Sequence, residues 1–242
     1  MPEGLEAEIW RRSAEATVGR TITAVWVDDR VADDGIAEAV VGERITAIRR
    51  RGKALVVDTT GASIGLHFGM TGRLVVDGTA PIAELAYASG RDDEGWDRLR
   101  LDTGGPEPAL RLNDPRRLGR VRLDSALDDL GVDIDAVTPR RLAAALAGRR
   151  APIKPLLLDQ HVVAGLGNLC ADEVLWWAGI DPHRSADTLI DDEIAALSRA
   201  VRRRLPVMLR RGGTTEGTLT PEVRAACPPC PRCSRGHGVD VA

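Results

Sequence analysis

The stretch from Ile153 to Pro182, IKPLLLDQHVVAGLGNLCADEVLWWAGIDP, constrains this chain more than any other. Leu156, Leu157 and Leu158 begin an apolar run that continues through Val162 and Val163 and breaks at Gly165-Leu166-Gly167. Leu169, Val174, Leu175, Trp176 and Ala178 then recur at roughly helical spacing until Gly179 and Pro182 stop them. The pattern predicts a helix, a glycine-rich turn and a second helix. Asn168 has the chemistry of an N-cap, since its amide oxygen can accept from backbone N–H groups two or three residues on. Glycine lets the turn approach another molecule closely, and a fresh helix N-terminus favours an anion such as phosphate. The same spacing also suits an αα-hairpin whose glycines serve only packing.

The N-terminus carries a different chemistry. The chain opens Met1-Pro2-Glu3-Gly4-Leu5-Glu6, and a small second residue favours removal of Met1. Pro2 would then hold a free secondary amine. An α-amine titrates near ~8, well below lysine, so a useful fraction is unprotonated at neutral pH. Such an amine can attack a sugar aldehyde carbon and form an iminium ion. Leu5, Ile9 and Trp10 fall on one side of an amphipathic helix, with Glu6 and Arg12 off it. That helix would fix the amine in space, as catalysis requires.

Residues 21–76 read as strands, by alternation at 21–27 and 44–49 and by the runs 54–58 and 64–67. Lys53 sits at a hairpin tip behind Gly52, and Met70 in a loop bracketed by Gly69 and Gly72. Residues 77–110 predict loops and one strand, 98–102. Gly131 to Pro139 reads as a linker. Beyond it, residues 140–149 and 191–209 read as helices, the latter with Ile194, Leu197, Val201 and Leu205 in helical period. The tail holds Cys227, Cys230, Cys233 and His237, spaced C-x2-C-x2-C-x3-H, which could complete a tetrahedral zinc site. Cys170 reads as a buried apolar residue.

Bulk properties limit the class. The chain has 242 residues, 43% hydrophobic and 29% charged, and no apolar run of membrane-spanning length. No secretory signal is visible, so a cytoplasmic location is the default expectation, and a monomer is expected. Five Trp, one Tyr and one Phe are few for a protein gripping single strands by stacking. A net charge of −3 argues mildly against nucleic acid, but arginines cluster at 49–51, 116–117, 202–204 and 210–211, and steering depends on local potential.

Five motifs in order resemble the formamidopyrimidine-DNA glycosylase/endonuclease VIII family of base-excision repair enzymes, over residues 2 to about 215. They are the Pro2-Glu3 start, the Lys53 hairpin, Leu66-His67-Phe68-Gly69-Met70-Thr71-Gly72, Asn113-Asp114-Pro115-Arg116-Arg117-Leu118-Gly119, and the 154–179 segment with Lys154-Pro155, Gln160, Gly167-Asn168 and Ala171-Asp172-Glu173. The resemblance implies an α+β protein: a β-sandwich with an N-terminal helix (residues 1–125), an all-helical helix–two-turn–helix domain (132–220) and a compact or degenerate zinc-finger-like tail (221–242). It implies Pro2 as nucleophile, Glu3 as general acid and Glu6 as an acidic neighbour. Lys53, Lys154 and Asn168 would hold phosphates, while Met70, Arg116 and Leu118 fill the gap left by a flipped base. An aromatic is usual where Leu118 stands, and a second CxxC pair is usual in the tail.

The implied activity is removal of oxidised or ring-opened bases from duplex DNA, followed by β,δ-elimination at the abasic site. A damaged- or branched-DNA-binding protein of the same fold that does not cut is the alternative. RNA or ribosome binding is a third reading, which leaves the N-terminus unexplained.

Overall fold

The computed structural model describes residues 2–83, 85, 90–125 and 127–226. Two compact units divide the chain, the first ending at Asp129 and the second beginning at Leu130.

The first unit opens on helix α1 (Gly4–Ala14). Glu3 is its N-cap, and the Glu3 N–H donates to Glu6 Oε2 at 2.8 Å, half of a capping-box arrangement. A carboxylate in the first turn also suits the positive end of the helix dipole. Ala7, Trp10 and Ala14 bury one stripe of α1 in the core. The sequence pattern puts Glu6 off the buried face, yet it is buried too, because it turns back to the helix start rather than out to water. Ile9 is only half-buried.

Two antiparallel sheets form the sandwich. One has the order β2 (Ile45–Arg51), β3 (Ala54–Thr59), β4 (Ile64–His67), β8 (Arg120–Leu123). The other has the order β1 (Ala24–Val27), β6 (Asp97–Asp102), β7 (Leu110–Asn113), β5 (Arg73–Val76). Period-two alternation explains the core. Leu55, Leu66 and Val121 pair across successive strands and point inward, while their neighbours Ala54, His67 and Arg120 pair on the other face. Leu99, Leu101, Leu110, Leu112 and Leu74 fill the facing layer. A short helix, α2 (Ile36–Val40), interrupts the region read as strands, with Ile36 and Val40 buried.

The second unit begins with strand β9 (Val132–Asp133), which pairs in parallel with β10 (Val163–Ala164). The stretch read as a linker is therefore ordered structure, and the unit is not wholly helical. Gly131 makes this possible: a Cβ there would lie 2.4 Å from the Val162 carbonyl oxygen, so only glycine lets the backbones cross. Helices α3 (Pro139–Leu146), α4 (Ile153–Leu158), α5 (Asn168–Ala178) and α6 (Asp191–Arg211) follow, then α7 (Pro221–Ala226), which lies within the predicted tail. All seven residues from Leu169 to Leu175 are buried, Cys170 among them, so α5 is the unit's central helix. Gly179 ends it at φ +72°, the left-handed position that favours glycine. Among the described residues, no helix is long and apolar enough to cross a membrane.

Candidate active site and nucleic-acid interface

Pro2, Glu3 and Glu6 come together at the head of α1, all buried, with Glu3 only 2% exposed. Pro2 and Glu3 lead directly into α1, and the Glu3–Glu6 bond fixes the helix's first turn. Lys53 follows Gly52, whose φ of +58° makes the tight β2–β3 turn. Although at a hairpin tip, Lys53 is 9% exposed, so its ammonium is not a solvated turn charge. Its field reaches His67, whose imidazole is held below its ordinary range by burial first, then by Lys53, Arg120 and Arg122.

Two loop tips present apolar side chains beside each other. Phe68 anchors the first by packing on Trp10, ring centroids 4.2 Å apart, and the Gly72 N–H donates to the Phe68 carbonyl at 2.9 Å. Met70 projects from this turn, 40% exposed. Leu118, also 40% exposed, projects from the second. Gly69 has φ +57°, and a Cβ there would stand 2.4 Å from the Leu118 carbonyl carbon and 2.8 Å from Gly119 N. Main chain meets main chain at this point, so glycine is required twice over.

Asp114, fully buried, organises both tips. Its carboxylate accepts from the Thr71 hydroxyl at 2.6 Å and from three N–H groups: Arg116 at 3.2 Å, Leu118 at 2.7 Å and Gly119 at 2.7 Å. Hydrogen bonds to a charged acceptor contribute roughly 1.5–3 kcal/mol each, so this cluster decides the loop's shape. The two arginines of the motif divide their roles. Arg117, at φ +54°, donates to Asp28 at 2.8 Å, and buried Arg98 donates to the same carboxylate at 3.1 Å. Arg116 is exposed, and among the described residues its side chain makes no hydrogen bond or ion pair. Arg117 holds the loop, while Arg116 is available to a ligand.

In the second unit, Asn168 is exposed at the start of α5 but is its first helical residue; Gly167 is the N-cap. The glycine, in extended conformation, takes the capping position that the sequence pattern gives to the asparagine. Lys154 lies in the first turn of α4, buried, with Nζ 2.8 Å from Asp172 Oδ1. Asp172 also accepts from Arg224 of α7 at 2.7 Å. Gln160 staples the turn: its amide donates to the Leu158 and Leu166 carbonyls and accepts from the Gly165 N–H. Glu173, 1% exposed, accepts from the Thr218 and Leu219 N–H groups and from Trp177 Nε1, tying the chain after α6 to α5.

In the sequence, Asp114, Gln160, Asp172 and Glu173 stand out only as parts of motifs. The Asp-Pro step at 114–115 is a turn signal that could have marked Asp114. Nothing in the sequence marks Asp28. Cys227, Cys230, Cys233 and His237 lie outside the described residues, and among those described no group of three or more His, Cys, Asp or Glu could hold a metal ion.

A sandwich with a helix at its head and two apolar loop tips, followed by a helix–turn–helix unit built on a glycine turn, is an architecture that known proteins share. The formamidopyrimidine-DNA glycosylase N-terminal domain model matches residues 1–121, and the formamidopyrimidine-DNA glycosylase H2TH domain model matches 130–220. Formamidopyrimidine-DNA glycosylase of Moorella thermoacetica is 34% identical over 97% of this chain and 93% of that protein. That of Stenotrophomonas maltophilia strain K279a is 38% identical over 89% and 80%. Lactococcus lactis formamidopyrimidine-DNA glycosylase, solved on DNA containing an AP site, superposes with a TM-score of 0.77 at 26% identity, covering 98% of this chain and 96% of that one. The chain belongs to the formamidopyrimidine-DNA glycosylase family.

Proposed function

We propose that this protein excises damaged bases from duplex DNA through the Pro2 amine and then cleaves the strand at the resulting abasic site. The Pro2 nitrogen lone pair attacks C1′ of the flipped nucleotide. The C1′–base bond breaks, its electron pair leaves with the base, and the departing base takes a proton. Opening of the sugar ring gives an iminium between Pro2 and C1′. Loss of a C2′ proton expels the 3′ phosphate, loss of the C4′ proton then expels the 5′ phosphate from C5′, and water hydrolyses the iminium to release the amine. Glu3 moves the protons, and Glu6 fixes the turn that aims the amine.

The observation that carries this reading is the placement of Pro2 beside two buried carboxylates at the head of a helix, one of them bonded to the backbone of the other. A protein that only bound DNA would have no use for a fixed amine. Met70 and Leu118 are the wedge that fills the vacated stack, since unstacking a base costs a few kcal/mol. Arg116 reads the orphaned base. Lys53, Lys154 and Asn168 take phosphates, Lys154 sharing its charge with Asp172. Solved relatives support the substrate class: Lactococcus lactis enzymes were captured on DNA holding an abasic site and on DNA holding N7-benzyl-Fapy-dG. Ring-opened and oxidised purines are therefore the first substrates to expect. The Cys227, Cys230, Cys233 and His237 set has the donor chemistry of a structural zinc site; metal analysis of purified protein tests it, with one zinc per chain expected.

A strand-scission assay on duplexes carrying ring-opened purine, oxidised purine, oxidised pyrimidine or an abasic site tests the activity. Cleavage of the abasic duplex and at least one base lesion is expected. Stable binding without scission would instead identify a non-cleaving damaged-DNA-binding protein.

A further inference from the structure

We infer that strand β8 carries an additional grip on the DNA backbone, in which Arg120 and Arg122 bind phosphates beside the cleft floored by Gly65. This rests on the reading above that duplex DNA is the substrate. β8 starts two residues past Leu118, so the stripe leads directly away from the wedge. In the β4–β8 ladder Arg120 stands opposite His67 and Arg122 opposite Gly65. Alternate residues of a strand share a face and sit about 7 Å apart. Both arginines therefore project from the outer face of the sheet, and both are exposed.

The surface between them is concave. A cavity of about 330 Å³ is lined by His67, Arg120 and Arg122 over a floor that includes Ala54, Gly65 and Ser125. Gly65 keeps that floor low: a Cβ there would fall 2.3 Å from Ser125 Cβ. No acidic residue is among the described residues that line it. Carboxylates on and beside this sheet have other partners: Asp58 pairs with Arg49, Asp124 accepts from the Ser63 N–H and hydroxyl, and Asp33 accepts from the Leu123 N–H. Arg120 spends one N–H on the Gly119 carbonyl at 2.7 Å, and Arg122 has no hydrogen-bond or ion-pair partner among the described residues. The His67 imidazole is held low by burial first, with Lys53, Arg120 and Arg122 adding to the same effect. Guanidinium forks match phosphate oxygens in geometry as well as charge. Interactions of this kind position a duplex without reading its sequence.

The test is the salt dependence of binding to a duplex holding a non-cleavable abasic analogue, and to the same duplex undamaged. Each phosphate that the protein no longer neutralises lowers the slope of log K against log salt by about 0.9. Arg120→Gln with Arg122→Gln should lower it by about 1.8 on both duplexes, and the double lysine variant should restore most of it. Arg20→Gln with Arg44→Gln, removing equal charge at the start of β2, the edge of the sheet opposite β8, should leave the slope as in the unaltered protein. An unchanged slope in the Arg120/Arg122 variant, or an equal fall in the Arg20/Arg44 variant, overturns the inference. Borohydride trapping on abasic DNA, run in parallel, separates the two claims. Trapping with an unchanged slope sinks the stripe alone, while a changed slope without trapping sinks the enzyme reading and leaves the stripe standing.

Discussion

The Thr71 hydroxyl donates to the Asp114 carboxylate at 2.6 Å, and this buried bond joins the loop that carries Met70 to the loop that carries Leu118. The two loop tips are thus one object made from two segments distant in sequence. Thr71→Val keeps the volume and removes the donor. It should lower stability by about 1.5–3 kcal/mol in urea melts, and slow base excision more than it slows cleavage of a ready-made abasic site. Asp114→Ala should be more severe, because three backbone N–H groups lose their acceptor as well.

Arg116 and Arg117 should separate cleanly. Arg116→Ala removes an exposed side chain and should move stability by no more than about 0.5 kcal/mol. Its discrimination between bases opposite the lesion should fall by about tenfold or more, the worth of a good base contact. Arg117→Ala should destabilise the loop and leave opposite-base preference in place once saturating DNA compensates. Competition assays with the four opposite bases decide between them.

Asp28 supports Arg117 and Arg98 together. Burial raises its carboxyl, but the hydrogen bond from Arg117 and the charges of both arginines hold it below the ordinary range. Its folded pKa is therefore below its unfolded value of about 3.9. The stability it contributes is present above that pH and is lost as pH falls through the folded pKa. Asp28→Ala leaves buried Arg98 without its carboxylate and should cost about 3 kcal/mol at neutral pH. Acid titration of the unfolding midpoint should also lose its lowest-pH component in this variant.

Gly69→Ala places a methyl against the Leu118 main chain at a left-handed φ, where no flexible atom can give way. It should destabilise by more than about 2 kcal/mol and weaken binding to damaged duplex. Met70→Ala, at an exposed position, should leave the melting temperature within a degree or two yet reduce excision of paired lesions. A fluorescent base placed opposite the lesion would report the missing wedge directly.

The sequence made much of this legible, for identifiable reasons. Strand β4, the start of α1 and the Gly179 stop were readable because period and punctuation are local. The failures were tertiary. Glu6 lies off the apolar side of α1 by its spacing, and its burial is not legible until its bond to the Glu3 backbone is seen. Residues 131–139 read as a linker because two-residue strands have no period. Asn168 reads as a cap because its neighbour Gly167, with no side chain to bond, gives no capping signal. Asp114 and Asp28 act through partners about 40 and about 90 positions away in sequence, as the bonds Thr71–Asp114 and Asp28–Arg117 show. No local pattern encodes such a pairing.

Borohydride reduction of the protein on abasic-site DNA, followed by protease digestion and mass spectrometry of the trapped peptide, tests the central claim most directly. The account predicts a covalent sugar adduct on the N-terminal peptide, at the Pro2 nitrogen, with Met1 absent. An adduct on Lys53 or another lysine, or no adduct from protein that nicks the same DNA, would contradict it.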